Sequence, residues 1–335
     1  MYLISPHKKQ YKANLHCHSV ISDGKKTPEE LKEMYKGHGY SILSITDHET
    51  PCCHSDLDDS TFLTITGYEG YIRNTPRYNS YGTEIHLNLF ARDPKNETLI
   101  CYQKEFCKYT TEQQQEKFKK VIFDKPRACT VEYVNDYIRI AKENGYIVSY
   151  NHPYWSFDTV SNILQYEGCF SMEMCNYSSY LTSGIEYNGA VYNELLRAGK
   201  RIFCHSADDN HNVVPDDSPK CDSFGGFTMI MPDEFTYSSV FEAMEKGEMY
   251  SSMGPIFNEV SMEGNKIHIE CSDVKSIIVH DGGKKGIFEI APEGSTINSA
   301  DFEISDKAPF VRVTIVDSNG KCADTRGFFR DELPF

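Results

Sequence analysis

Nine side chains of the kinds that bind divalent cations stand at or near the ends of apolar, β-like runs: His16, His18, Asp23, His48, Glu69, His86, His152, Asp209 and His211. His16 and His18 flank a single residue, so an extended chain places both imidazoles on one face, within reach of one ion. Imidazole mixed with carboxylate suits Zn²⁺, Mn²⁺ or Fe²⁺ better than Ca²⁺. So many titratable groups gathered in one pocket would be costly without cations to compensate the carboxylates. A water shared by two such cations loses a proton near neutral pH, and the hydroxide can attack phosphorus or a carbonyl carbon.

The elements that must position these groups follow a repeating pattern. From Ala13 to His48 the chain reads as strand, loop, helix, strand, with Thr27-Pro28-Glu29-Glu30 supplying an N-cap, a proline in the first turn and a capping-box glutamate. Further apolar runs at 61–66, 84–90, 146–150, 169–174, 201–204 and 226–231 alternate with helical patterns at 130–145, 185–198 and 238–246. Glu69 is expected at a strand end, and His86 within the next strand. Strand and helix alternation with polar groups after the strands points to a (β/α) barrel whose chemistry lies at the strand C-termini. The polar stretch 98–120 reads as an insertion or a solvated helix pair without chemistry. Beyond Pro255 the texture changes to short alternating runs separated by glycine-rich turns, the pattern of a small all-β domain.

Taken in order, His16-x-His18, Ser22-Asp23-Gly24, Thr46-Asp47-His48, Glu69, His86, Asn151-His152-Pro153 and Asp209-x-His211 resemble the PHP (polymerase and histidinol phosphatase) metal-dependent phosphoesterases. The resemblance covers about Tyr11 to Pro255. It implies a distorted (β/α)7 TIM-like barrel over residues 1–255, followed by a β-sandwich-like domain over 256–335. It also implies two or three divalent ions. His16, His18, Glu69 and Asp209 would hold the first, and Glu69 would bridge to a second held by His86 and His152. Asp23, His48 and His211 would hold a third, although many members carry histidine where this chain has Asp23. Glu69, Asp209 and His211 take the catalytic places, and the implied activity is hydrolysis of a phosphate ester of a small metabolite or nucleotide.

Other residues are candidates for contact with substrate or ligands. Arg73 and Arg77, in the loop between Glu69 and His86, could meet a phosphate bidentately. Tyr154 and Trp155 could form an aromatic wall beside the metals. His205 and Asp208 flank Asp209 as groups that could orient it, as Asp47 and Asn151 do for their neighbouring histidines. Cys52 and Cys53 are adjacent, a poor arrangement for chelating one tetrahedral ion.

Composition narrows the setting. With 335 residues there is room for a large α/β domain and a small second one. No run of about 18 apolar residues indicates a membrane span. Met1 to Lys12 lacks an apolar signal core, and the 12 cysteines are scattered, so reduced thiols and a cytoplasmic location are expected. The net charge of -15 disfavours nucleic acid as a partner, which leaves a small phosphorylated substrate. Two alternatives share the donor set: an amidohydrolase-type hydrolase of esters, amides or carbamates, and a non-catalytic metal-binding module.

Overall fold

A computed structural model describes residues 1–118 and 122–335. Strands β1 (Tyr2–Ile4) and β2 (Tyr11–Asn14) precede helix α1 (Pro28–Gly37). The Thr27 hydroxyl accepts from Glu30 N, and the Glu30 carboxylate accepts from Thr27 N, so two otherwise orphaned donors are satisfied. One turn apart, Leu31 and Tyr35 are fully buried, each worth roughly 1.5–3 kcal/mol of hydrophobic stabilisation. Next come β3 (Ile42–Leu43), β4 (Leu63–Thr64), β5 (Gly67–Ile72) and β6 (Ile85–Ala91), then α2 (Glu112–Phe118) and α3 (Val131–Glu143). From its Thr130 cap, α3 buries Val134, Tyr137, Ile138 and Ala141, the helical spacing visible in the sequence. Gly145 then takes φ 86, a turn that a Cβ would oppose. The series β7 (Tyr146–Tyr150), α4 (Val160–Gln165), β8 (Cys169–Asn176), α5 (Tyr177–Ser183), α6 (Gly189–Arg197), β9 (Phe203–Ala207), β10 (Phe227–Ile230), α7 (Tyr237–Lys246) and β11 (Met249–Ser252) follows.

The architecture is mixed α/β with several sheets, and the hydrogen-bonded sheets do not close on themselves. One sheet runs β5-β6-β7-β8-β9, and another carries β10-β2-β3-β4 at one end. Among the strands of the described residues, only β7-β8-β9 and β2-β3-β4 pair in parallel. The pairs β5-β6 and β6-β7 are antiparallel, unlike the all-parallel order of a regular (β/α) barrel. Residues 73–84, which join β5 to β6, form a loop without the helix that usually makes a parallel crossover. Single bridges tie the two sheets together, one between the proposed ligands His48 and Glu69 and one between Cys17 and Asn210, which neighbour others. In the polar stretch 98–120, α2 is the one helix among the described residues; positions 119 and 120 lie outside them. All twelve cysteines are free thiols, and no described helix is long and apolar enough to cross a membrane.

The C-terminal part is β12 (Phe257–Glu263), β13 (Lys266–Val274), β14 (Ser276–His280), β15 (Ile287–Ile290), β16 (Ile297–Glu303), β17 (Phe310–Val316), β18 (Cys322–Thr325) and β19 (Phe328–Phe329). Its strands are shared out across residue 255. β1 joins β12-β13-β16, while β18 pairs with β11, so β15-β14-β17-β18 continue into β11-β10-β2. A common core unites Leu31, Tyr40 and Phe62 with Val260, Ile269 and Val313. A buried polar knot crosses the same junction: Asp324 accepts from Arg312 Nη1 at 2.7 Å, from Thr314 Oγ1 at 2.6 Å and from Tyr187 OH at 2.8 Å. Arg312 Nε also donates to Asn193. Removing one partner of such a pair strands the other charge in a dry interior. Asp324→Ala is therefore expected to cost about 3–5 kcal/mol in urea unfolding, and a loss below about 1 kcal/mol would show that the knot does not hold the two parts together.

Candidate metal centre

The backbone around β2 brings the donors together. Beyond Asn14 the chain stays extended: His18 N donates to Asn210 O, Asp209 N to His16 O, and Thr46 N to Cys17 O. Cys17 turns into the core while His16 and His18 face the opposite way, as the period of two requires. On the next segment Glu69 N donates to Thr46 O, and Glu49 N to Glu69 O. Glu69 lies within β5, not at its end, where the sequence pattern had put it. Both His152, at φ 25, and Asp209, at φ 54, hold left-handed backbone that non-glycine residues rarely adopt. Their amides are pinned, His152 N to Glu173 Oε2 at 2.7 Å and Asp209 N to His16 O at 2.9 Å.

Glu69 is the hub. Its Oε1 is 3.1 Å from His16 Nε2, 2.9 Å from His86 Nδ1 and 3.4 Å from His152 Nε2; its Oε2 is 3.0 Å from His48 Nδ1 and 3.4 Å from His18 Nε2. Asp209 Oδ1 lies 3.1 Å from His16 Nε2 and 3.0 Å from His18 Nε2. Asp23, half-buried at the mouth, is 3.5 Å from His211, 3.7 Å from His48 and 3.8 Å from His18. Three groups with converging donor atoms result: His16, His18, Glu69 and Asp209; His48, Glu69 and His86; and His18, Asp23, His48 and His211. Compared with the grouping that the resemblance implies, His48 stands with Glu69 and His86, and His18 is shared. His152 approaches Glu69 from outside the three groups.

The cluster fits divalent cations on its own geometry. His16 Nε2, His48 Nδ1 and Glu69 Oε2 are buried and have no hydrogen-bond partner although charged neighbours stand near 3 Å. Buried polar atoms are ordinarily satisfied, and cations held by the separate groups would satisfy all three. Burial opposes charge on His16, His18, His86 and Glu69, yet their mutual attraction prevails. Asp209 and Glu69 push His18 up to about 10, and Glu69 and Glu84 do the same for His86. Burial alone would raise the Glu69 carboxyl, but His86, His16 and His48 hold it well below the usual carboxylate range. His211 is lowered, first by burial and then by His18.

A supporting layer orients the donors, and part of it was missed in the sequence. Glu173 accepts from His16 Nδ1 at 2.7 Å, which turns Nε2 toward Glu69 and Asp209. Its signal was available: an acidic residue inside the apolar run 169–174. Glu84, in the loop just before β6, takes His86 Nε2 at 3.1 Å. Asn176 Nδ2 donates to Asp209 Oδ2 at 3.0 Å, and Asn151 Nδ2 to Glu69 Oε1 at 2.8 Å. Asp47 accepts from the amides and hydroxyls of Ser19 and Ser22, fixing the loop between His18 and Asp23. Asp208 accepts from the amides of Phe224, Gly225 and Gly226 and from Tyr35 OH, so it holds the turn before Asp209. His205 bonds Ser171 and belongs to none of the three groups.

Outside the donors opens a cavity of about 470 Å³ lined by Tyr71, Arg73, Lys108, Tyr109, Trp155 and Thr182 among others. Arg73 lines it, but its Nη1 is engaged by both oxygens of Glu84 at 3.1 and 3.2 Å. Arg77 and Tyr154 do not line it, whereas Trp155 does, with its ring 4.9 Å from His86 and 4.7 Å from His152. Lys108 and Tyr109 come from the stretch to which the sequence assigned no chemistry; Tyr109 OH donates to Asp23 Oδ2 at 3.3 Å. Nothing in their local sequence foretold this.

No protein-family model matches the chain, and no curated protein does. Among solved structures it is similar to a two-domain protein from Bacteroides vulgatus, described as containing a predicted PHP-like metal-dependent phosphoesterase. Identity is 14% over 98% of this chain and 89% of that one, with a TM-score of 0.49. A protein from Bifidobacterium adolescentis, provisionally named a metal-dependent phosphoesterase, matches at 16% identity over 64% and 91% of the two chains, TM-score 0.40. An amidohydrolase from Chromobacterium violaceum matches at 15% over 62% and 93%, TM-score 0.38.

Two outcomes are expected of the centre itself. Because His16, His18 and His86 are raised, they carry protons at neutral pH and must release them to bind a cation. Calorimetric titration of Mn²⁺ or Zn²⁺ into metal-free protein should release protons to buffer, with affinity climbing as pH rises from 7 toward about 10; buffer-independent heats would contradict this. Glu173→Gln should weaken metal binding about 10–100-fold without unfolding the chain, and unchanged affinity would mean that Glu173 does not orient His16.

Proposed function

We propose that the chain is a metal-dependent phosphoesterase acting on a phosphate ester of a small metabolite or nucleotide. The observation that carries the reading is the position of Glu69, whose two carboxylate oxygens face different sets of imidazoles at the floor of an open cavity. His16, His18, Glu69 and Asp209 would hold one ion; Glu69 with His86 and His48 or His152 a second; and Asp23, His48 and His211 a third. Bound there, divalent cations supply Lewis acidity, acidifying water and neutralising charge on phosphoryl oxygens. We take the two bridged sheets as a distorted (β/α)7-type barrel and residues 256–335 as its β extension.

The chain's own residues do the rest. Glu173 and Glu84 fix the ring orientations of His16 and His86. Asn176 occupies Asp209 Oδ2 and leaves Oδ1 toward His16 and His18, while Asn151 steadies Glu69 through Oε1, the oxygen that also faces His16 and His86. His211 donates from Nδ1 to Asp209 O at 3.0 Å, which leaves Nε2 as a lone-pair donor toward the cavity. Lys108 offers positive charge to an incoming phosphate, and Trp155 covers His86 and His152 against solvent.

Protein loaded with Mn²⁺, Zn²⁺ or Fe²⁺ is expected to release phosphate from members of a phosphomonoester panel. Chelation should abolish the activity and metal should restore it, and the His16→Ala/His18→Ala protein should lose more than about a hundredfold. Hydrolysis confined to carboxylic esters, amides or carbamates would favour the amidohydrolase alternative. Stoichiometric metal without turnover on any substrate would leave a binding module.

A further inference from the structure

The cavity above the donors does not end at Trp155. Beyond that ring a second cavity of about 200 Å³ opens, and the two have Tyr78, Glu84, Trp155, Ser179 and Thr182 in common. Its walls add Tyr154 and Phe157, which are 49% and 60% exposed. Two large aromatic side chains thus stand in water beside the donor cluster, a placement that burial energetics disfavours unless something covers them.

The turn that presents them is held, not slack. Tyr154 N and Trp155 N donate to Glu186 at 3.1 and 2.8 Å, and Thr83 Oγ1 donates to Phe157 O at 3.1 Å. Phe157 sits at φ 52, a backbone conformation that bulky residues avoid and that tends to persist where function requires it. The size of the cavity is that of a ring system, since about 150 Å³ suffices for benzene. Its charged lining is Glu84 and Glu186 alone, without Lys or Arg, which disfavours a second phosphate there.

We propose that this second cavity takes the alcohol half of the substrate, and that this half carries a planar aromatic or heteroaromatic ring with no further phosphate. The ring lies against Tyr154, Trp155 and Phe157 while the phosphate lies over Glu69. The assignment of that ring to a substrate rests on the phosphoesterase reading.

Trp155 is the chain's single tryptophan, so its emission reports this wall. Full-length, metal-loaded protein is titrated with adenosine, with 2-phenylethanol and with glycerol. A saturable change with a ring alcohol and none with glycerol is expected, weakened about tenfold in Tyr154→Ala and in Phe157→Ala. Tighter binding of adenosine assigns a nucleoside, and tighter binding of phenylethanol a simple aryl alcohol. No saturable change with either ring alcohol, or an equal change with glycerol, overturns the proposal. A ring-specific change in protein that releases no phosphate from any ester leaves the ring site standing and removes the phosphoesterase reading.

Discussion

Glu69 is a fully buried carboxylate reached by five imidazoles. A lone carboxylate in such a place would be driven neutral by desolvation, so its charge survives only because cationic partners surround it. The segments that deliver those partners must therefore be held at fixed separations, since displacing one of them would leave a buried charge uncompensated. That constraint explains why the strands meet where they do. The bridges His48 to Glu69 and Cys17 to Asn210 tie the two sheets at the level of the donors.

Stability and reactivity are coupled through the same atoms. Side chains that touch the donors, Glu173, Glu84, Asn151 and Asn176, have their own hydrogen-bond capacity used in positioning. Farther out, Asp47 and Asp208 hold the loops that carry Asp23 and Asp209 by accepting backbone amides. The buried Arg127–Glu49 pair braces the segment after His48, with Arg127 also donating to Cys101 O. Hydrogen-bonded polar layers of this kind hold a site rigid. The His16 and Glu69 atoms left over are the ones aimed at the centre.

Local pattern carried much of this. The Thr27-Pro28-Glu30 cap, the α3 core face and the alternation of His16 with His18 are written in neighbouring residues, so they could be read directly. Glu69 was found but misplaced at a strand end, because a glycine on each side looked like a turn while β5 runs through them. The antiparallel pairing of β5, β6 and β7 and the continuation of one sheet from β11 into β18 depend on contacts between distant segments, which periodicity does not encode. For the same reason Lys108 and Tyr109 stayed hidden, whereas Arg77, plausible from its loop, falls outside the cavity. Arg73 reaches the cavity already bound by Glu84, a pairing between two loop ends that spacing alone does not fix.

Anomalous diffraction at the absorption edge of a loaded metal tests the central claim most directly. Peaks about 2.1 Å from His16 Nε2, with Glu69 oxygens shared between two of them, are the predicted result. Metal-loaded crystals with no anomalous peak within bonding distance of Glu69 or His16 would contradict the account.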